Sequence, residues 1–335
     1  MAATMSKRAR WIGTAVLCLL GTSAVQADPQ SFLQLQQDVP LTGDTSRFDY
    51  QSYDEQAGLL YIAHMGNGQI ILFNTQKGAP QTVLTGFPGV TGVLVVPELH
   101  RLFASVTGRH EVDVVDTESL KTLARIPAGN FPDAIAYVPD RREIFVSDEM
   151  GGEEIVIDAV KNKRLAYIKM EGEVGNTCYD PESHRVFADV QTRNELAVVN
   201  PETNKVLLRY SLQSGKHPHG LCLDPNSRLA FIACDGDEKL VVVDMDHFNE
   251  IGVADVGQDP DVLTFDPQLG YLYVASESGT VSIFRVRDRK VEKIGDFPVG
   301  SNAHSVAVDP KTHFVYFPLR KEGSGPVLRI MKPAN

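Results

Sequence analysis

The sequence predicts an all-β fold, a seven-bladed β-propeller whose last blade is closed by the N-terminal strand. Three observations predict it. A turn motif recurs at a near-constant interval, the stretches between recurrences carry β-branched and aromatic residues with no sustained helical period, and the last copy lacks a strand that stands at the other end of the chain.

The turn comes first. Six copies end an apolar strand on proline: Gly92-Val-Leu-Val-Val-Pro97, Ala134-Ile-Ala-Tyr-Val-Pro139, Asn176-Thr-Cys-Tyr-Asp-Pro181, Gly220-Leu-Cys-Leu-Asp-Pro225, Val262-Leu-Thr-Phe-Asp-Pro267 and Ser305-Val-Ala-Val-Asp-Pro310. Glu55, after Gln51-Ser-Tyr-Asp54, fills the same place in a seventh copy. Successive turns are 42, 42, 42, 44, 42 and 43 residues apart, the length of one four-stranded blade.

Each copy then continues alike. A second strand follows, such as Leu102-Phe-Ala-Ser105, Val186-Phe-Ala-Asp189 or Leu272-Tyr-Val-Ala-Ser276, and after it a polar loop, such as Gly66-Asn-Gly68 or Asp235-Gly-Asp237. An alternating third strand ends in Asp or Asn, as in Asp113-Val-Val-Asp116, Ala197-Val-Val-Asn200 and Val241-Val-Val-Asp244. A more polar fourth strand completes the unit. The seventh copy stops after its third strand, Val327 to Met331. At the other end Asp38-Val-Pro-Leu-Thr-Gly43 matches Asp296-Phe-Pro-Val-Gly300 of copy six. A strand at about 31–41 is therefore expected to complete the last blade and remove the open edges of the ring. Residues 28–335 form one domain in this reading.

Residues 1–27 read as a secretory signal peptide. Lys7, Arg8 and Arg10 precede an apolar run from Trp11 to Ala24, and Val25-Gln-Ala27 offers small residues for cleavage. The run is too short and too interrupted for a membrane span. A periplasmic or secreted chain beginning at Asp28 is expected, with no span after cleavage. The 32 Lys and Arg against 43 Asp and Glu give a net charge of −11. Without the three basic residues of the leader it becomes −14. Nucleic acid is disfavoured as a partner, because affinity for it comes largely from Lys and Arg displacing counterions. Cys178, Cys222 and Cys234 lie in apolar strand patterns. They allow at most one bridge, and small core residues are the simpler reading.

The repeat, above all Leu272-Tyr-Val-Ala-Ser276 after Asp266-Pro267, resembles the YVTN family of β-propellers, which includes YncE-like bacterial exported proteins. The resemblance covers essentially all of 28–335. It implies the propeller fold and export, on a scaffold whose members include binding proteins, surface-layer domains and enzyme-like relatives. Some relatives of this kind have been associated with single-stranded DNA, against which the acidity of this chain argues. Pro218-His-Gly-Leu221 is also similar to a stretch in seven-bladed lactonases of the phosphogluconolactonase type.

Candidate chemistry sits where the chain enters each blade. The motif Gly-x-x-Pro-Asp/His appears as Gly129 to Asp133, Gly215 to His219 and Gly257 to Asp261, with the variant Gly300 to His304. Its last residue stands six before the turn. Around the ring that position holds Asp49, Thr91, Asp133, Gly175, His219, Asp261 and His304, with Arg47, His217, Asp259 and Asn302 two residues earlier in their copies. In a propeller these residues converge on the channel mouth, where ligands commonly bind. Two readings compete. Asp133, His219, Asp261 and His304 could hold a divalent metal such as zinc, manganese or iron and activate a water, with His219 and His304 the catalytic candidates. Alternatively, such residues bond loop backbone and lock neighbouring blades.

The loops between strands two and three add His64, Asp148, Glu149, Asp189, Asp235, Glu277 and Arg320, an acidic face on which Arg320 could receive a carboxylate. No nucleophile elbow, phosphate loop, dinucleotide fingerprint or zinc-protease motif occurs. The reading is thus a monomeric binding module for a small molecule or protein partner, using Asp49, Asp133, His217, His219, Asp261, His304 and Arg320. A metal-assisted hydrolase or lyase is the alternative.

Overall fold

In the computed structural model, which describes residues 32–334, the chain forms seven four-stranded antiparallel sheets. The leader proposed for residues 1–27 lies outside the described residues. Among these no helix is long and apolar enough to cross a membrane. Blade one runs through Gln51–Asp54, Leu59–His64, Gln69–Asn74 and Ala79–Thr85, and blades two to six repeat the plan. Blade seven takes Ala307–Asp309, Phe314–Glu322 and Gly325–Pro333 from the C-terminal end of the chain and Leu33–Pro40 from the N-terminal end.

That closure is the one expected, on a strand slightly shorter than the sequence suggested. Leu33 pairs with Pro333 and Pro40 with Val327. Leu33 is buried with Val281, Phe297 and Phe317, so the strand also seals the seam between blades six and seven. Arg329 clamps it from the neighbouring strand, donating from Nε to Asp38 Oδ1 at 2.8 Å and from Nη2 to Oδ2 at 2.6 Å. A two-pronged charged pair of this kind fixes geometry as well as adding energy.

The repeat has a packing reason. Second and third strands are covered by sheets on both faces, so they are mostly apolar: Leu229–Cys234 is buried at every position. The fourth strands keep one face in water, and Asn249–Asp255 alternates between exposed and half-buried. The third residue of each second strand is aromatic. Tyr61, Phe103, Phe145, Phe187, Phe231, Tyr273 and Tyr316 are all essentially inaccessible.

The recurrent Asp residues are turn-formers. Asp54 Oδ1 accepts the amides of Gln56 and Ala57, and Asp266 Oδ1 those of Gln268 and Leu269. At the ends of third strands, Asp158 Oδ1 accepts from Val160 and Lys161, and Asn200 Oδ1 from Glu202 and Thr203. Asp and Asn suit these corners because their side chains replace the missing backbone acceptor two or three residues on. The three cysteines are free thiols, Cys234 within the core and Cys178 and Cys222 half-buried.

Candidate functional site

The seven first strands line the channel. At the mouth lies a cavity of about 320 Å³ whose walls include Asp49, Thr91, Asp133, His219, Asp261 and His304. Every side chain at the position six before the turn therefore reaches one place, Gly175 having none to offer. In blades two to six this position falls at a register break between the first and second strands, such as Pro132/Ile135, Pro218/Gly220 and Pro260/Leu263. A bulge re-aims one side chain out of the alternating pattern. In blades one and seven Asp49 and His304 precede the short strands Gln51–Asp54 and Ala307–Asp309. Two residues earlier the backbone turns left-handed at His217, Asp259 and Asn302, with φ of 55°, 52° and 54°. Packing at the axis is tight: a Cβ on Gly220 would stand 1.8 Å from the carbonyl oxygen of Asp261 in the next blade.

The chemistry concentrates where blades six, seven and one meet. His304, 1% exposed, lies with Nε2 3.1 Å from Asp49 Oδ1, and with Nδ1 3.0 Å from Asp261 Oδ2 and 3.1 Å from Glu277 Oε1. His219 Nε2 stands 3.3 Å from Asp261 Oδ1, an ionic contact without hydrogen-bond alignment. Arg47 donates from Nη1 to Glu277 Oε1 at 2.7 Å, and its Nη2 is 3.9 Å from Asp261 Oδ2. Burial alone would lower the pKa of each imidazole. The carboxylates outweigh it: Asp261, then Asp133 and Glu149, push His219 up to about 10, and Asp261, Asp49 and Glu277 do the same for His304. Both rings are imidazolium at neutral pH. The 3.1 Å approach of Arg47 Nη2 to His304 Nε2 is then a like-charge contact, tolerated because three carboxylates surround it. Asp261 is held well below the usual carboxylate range, burial being overcome by His304, His219 and Arg47.

The opposite wall belongs mainly to blade three. Asp133 is 4% exposed, and Tyr50 reaches across the channel to touch Asp133 Oδ2, at 3.2 Å, and Asn176 Oδ1. Burial, with Asp49 and Glu149 nearby, lifts the Asp133 pKa to about 7. The Tyr50 hydroxyl has one hydrogen to donate and two acceptors in reach, Asn176 Oδ1 and Asp133 Oδ2. Glu149 accepts from Gln191 Nε2 at 3.1 Å. Tyr50 also roofs a second chamber of about 290 Å³ further along the channel, lined by neutral residues such as Ser52, Thr177, Leu263 and Val306.

The remaining residues named from sequence part company. His217 lines the cavity rim with its Nδ1 2.6 Å from Asp235 Oδ1. Arg320 is exposed, donates to the Thr45 carbonyl at 3.1 Å and does not line the cavity. His64 is fully buried and stacked on Phe48 at 4.0 Å. Asp148 accepts the amides of Asn130, Phe131 and Gly151, bracing the loop that carries Asp133. Asp189 is wholly buried with neither oxygen bonded. Sequence reasoning gave no place at the mouth to Tyr50, Phe131 or Gln191 and treated Glu277 only as a loop charge. Adjacency was the available signal, since Tyr50 follows Asp49 and Phe131 lies two residues before Asp133.

As metal donors, the candidates divide. Asp261, Glu277 and His304 offer ligand atoms all within 4.8 Å of one another, a set that includes Glu277 and leaves out Asp133 and His219. Glu277 already has a cationic partner, the Arg47 guanidinium at 2.7 Å, which also lies beside His304 Nε2. No family model matches the chain, and no curated protein is similar to it.

Proposed function

We propose that the protein is an exported, monomeric binding propeller of the YVTN, YncE-like kind, holding a small molecule in the cavity at its channel mouth. One observation carries the reading. Thr91 shows what locking blades requires at this position: its hydroxyl donates to the Pro132 carbonyl at 3.0 Å, and Gly175 does without a side chain altogether. The ring thus needs no charge here, yet Asp49, Asp261 and His304 are buried, and His219 half-buried, as ionisable groups around open space. Buried ions are costly to desolvate and are weak contributors to stability. Their gathering at one cavity fits recognition of a polar ligand.

The test is a thermal-shift screen of a charge-balanced small-molecule library against the native chain and His304→Gln. Compounds that raise the native melting temperature and lose the effect in the variant support the proposal. Hits indifferent to His304→Gln would place binding elsewhere and refute it. For export, mass spectrometry of protein expressed with residues 1–27 is expected to find a chain starting at Asp28. An intact N-terminus would overturn that part.

The compact donor set of Asp261, Glu277 and His304 favours a second reading, metal-assisted hydrolysis or elimination of a lactone-like substrate. It requires Arg47 to withdraw and His304 to lose its proton. Stoichiometric zinc or manganese in purified protein, with turnover abolished in a His219→Ala, His304→Ala double variant, would replace the binding reading with this one.

A further inference from the structure

We infer that the ligand of this cavity carries an organic ammonium group, seated on the blade-three wall between Asp133 and Glu149 with the ring of Phe131 beside it. The inference rests on the reading of the cavity as a binding site and names the chemistry it would take.

The close ion pairs of the cavity lie on one side only, His219 acting on Asp133 and Glu149 from beyond ion-pair distance. Asp49, Asp261 and Glu277 each have Arg47 or His304 within 4 Å. Asp133 and Glu149 have no cationic side chain within that distance among the described residues. Asp133 touches Tyr50 through Oδ2, and among the described residues its Oδ1 has no hydrogen-bond partner; the residue is 4% exposed and lines the cavity. Glu149 has the single amide of Gln191. A carboxylate largely withdrawn from water with no cation against it is costly to keep ionised, and a positively charged ligand lowers that penalty.

Two further features select an organic cation over a bare ion. The cavity, about 320 Å³, has room for a group with a carbon skeleton attached. Phe131 and Tyr50 line the same wall, and aromatic faces attract ammonium groups while covering their alkyl carbons. The nitrogen donors a metal would favour are engaged on the other side, against Asp49, Asp261 and Glu277.

The experiment is isothermal titration calorimetry with phenethylamine, phenethyl alcohol and phenylacetate, three probes of one skeleton and different charge. The amine is expected to bind about tenfold more tightly than the alcohol, as a charge-assisted bond adds about 1.4 kcal/mol. Asp133→Asn and Glu149→Gln should each erase most of that preference. Glu149 is half-buried and Asp133→Asn is isosteric, so melting curves should show both variants folded. Equal binding of amine and alcohol, or a preference surviving both substitutions, overturns the ammonium inference and leaves the cavity reading standing. Failure of the amine to bind overturns it too. The cavity reading falls only if, in addition, the hits from the charge-balanced screen ignore His304→Gln.

Discussion

Two regions of the molecule bury carboxylates, and they treat them in opposite ways. At the seam of blades six, seven and one, Asp261 is 7% exposed and meets two imidazoliums and a guanidinium, which hold it ionised far into acid. In blades three and four, Glu154 and Asp189 are both fully buried with no bonded oxygen. Desolvation pushes Glu154 up to about 8 and Asp189 well above its ordinary value. All three carboxyls are buried. The partner decides the protonation state, and with it whether the group is a charge or a neutral acid.

The largest expected effect comes from breaking the paired side. Asp261→Asn keeps the volume and removes the charge, leaving His219, His304 and Arg47 short of an anion. Loss of one partner from a buried ion cluster costs about 3–5 kcal/mol, to be read from urea denaturation. A change below 1 kcal/mol would show that the seam ions are hydrated in solution.

The unpaired side should respond in reverse. Glu154 stands where other blades have Ile70, Val112, Leu196, Leu240 and Val281, and Asp189 where two others have Ser105 and Ser147. Glu154→Leu and Asp189→Ser are each expected to stabilise by about 1–3 kcal/mol, the penalty of an unsatisfied buried polar group. Destabilisation by either substitution would mean that the carboxyl has a partner in solution.

The pH dependence separates the regions further. Glu154 rises from 4.5 to about 8 on folding, so the folded state holds the proton more tightly and stability falls as pH climbs through that window. His219 and His304 rise from 6.5 to about 10, so their stabilisation is complete below 6.5 and is lost toward 10. Asp261 contributes above its ordinary 3.8 and fails only in strong acid. Melting temperatures of Glu154→Leu should therefore decline less than native between pH 4.5 and 8 and in parallel with native above 8. Parallel curves throughout would contradict the neutral Glu154. The smallest effect belongs to Arg320→Ala, within about 0.5 kcal/mol, because an exposed side chain on one carbonyl carries little. A larger change would reveal that Arg320 does more than its single bond suggests.

The same contrast shows what the sequence could disclose. Turn Asp residues, strand aromatics and the closing strand were legible because each follows from a local rule repeated seven times. Convergence of Asp49, Asp133, His219, Asp261 and His304 on the mouth was legible for the same reason: equal positions in equal blades meet at one axis. Pairings were not legible. Nothing in the chain order says that Glu277, rather than Asp133, joins His304, or that Arg47 lies against both. His64 and Asp189 read as loop charges and proved buried, since a one-residue difference in where a strand ends moves a side chain from water to core. Glu154 left a sharper trace, a lone acid in an otherwise apolar column of the repeat.

The clasp of Arg329 on Asp38 has a consequence for connectivity. Beside it the Ala334 amide donates to the Phe32 carbonyl at 2.6 Å, so the two limits of the described chain are already neighbours. A short linker joining them, with new ends cut at any outer turn, should give circular permutants that fold to the same ring. Those opened between blades three and four would keep the seam covalently continuous.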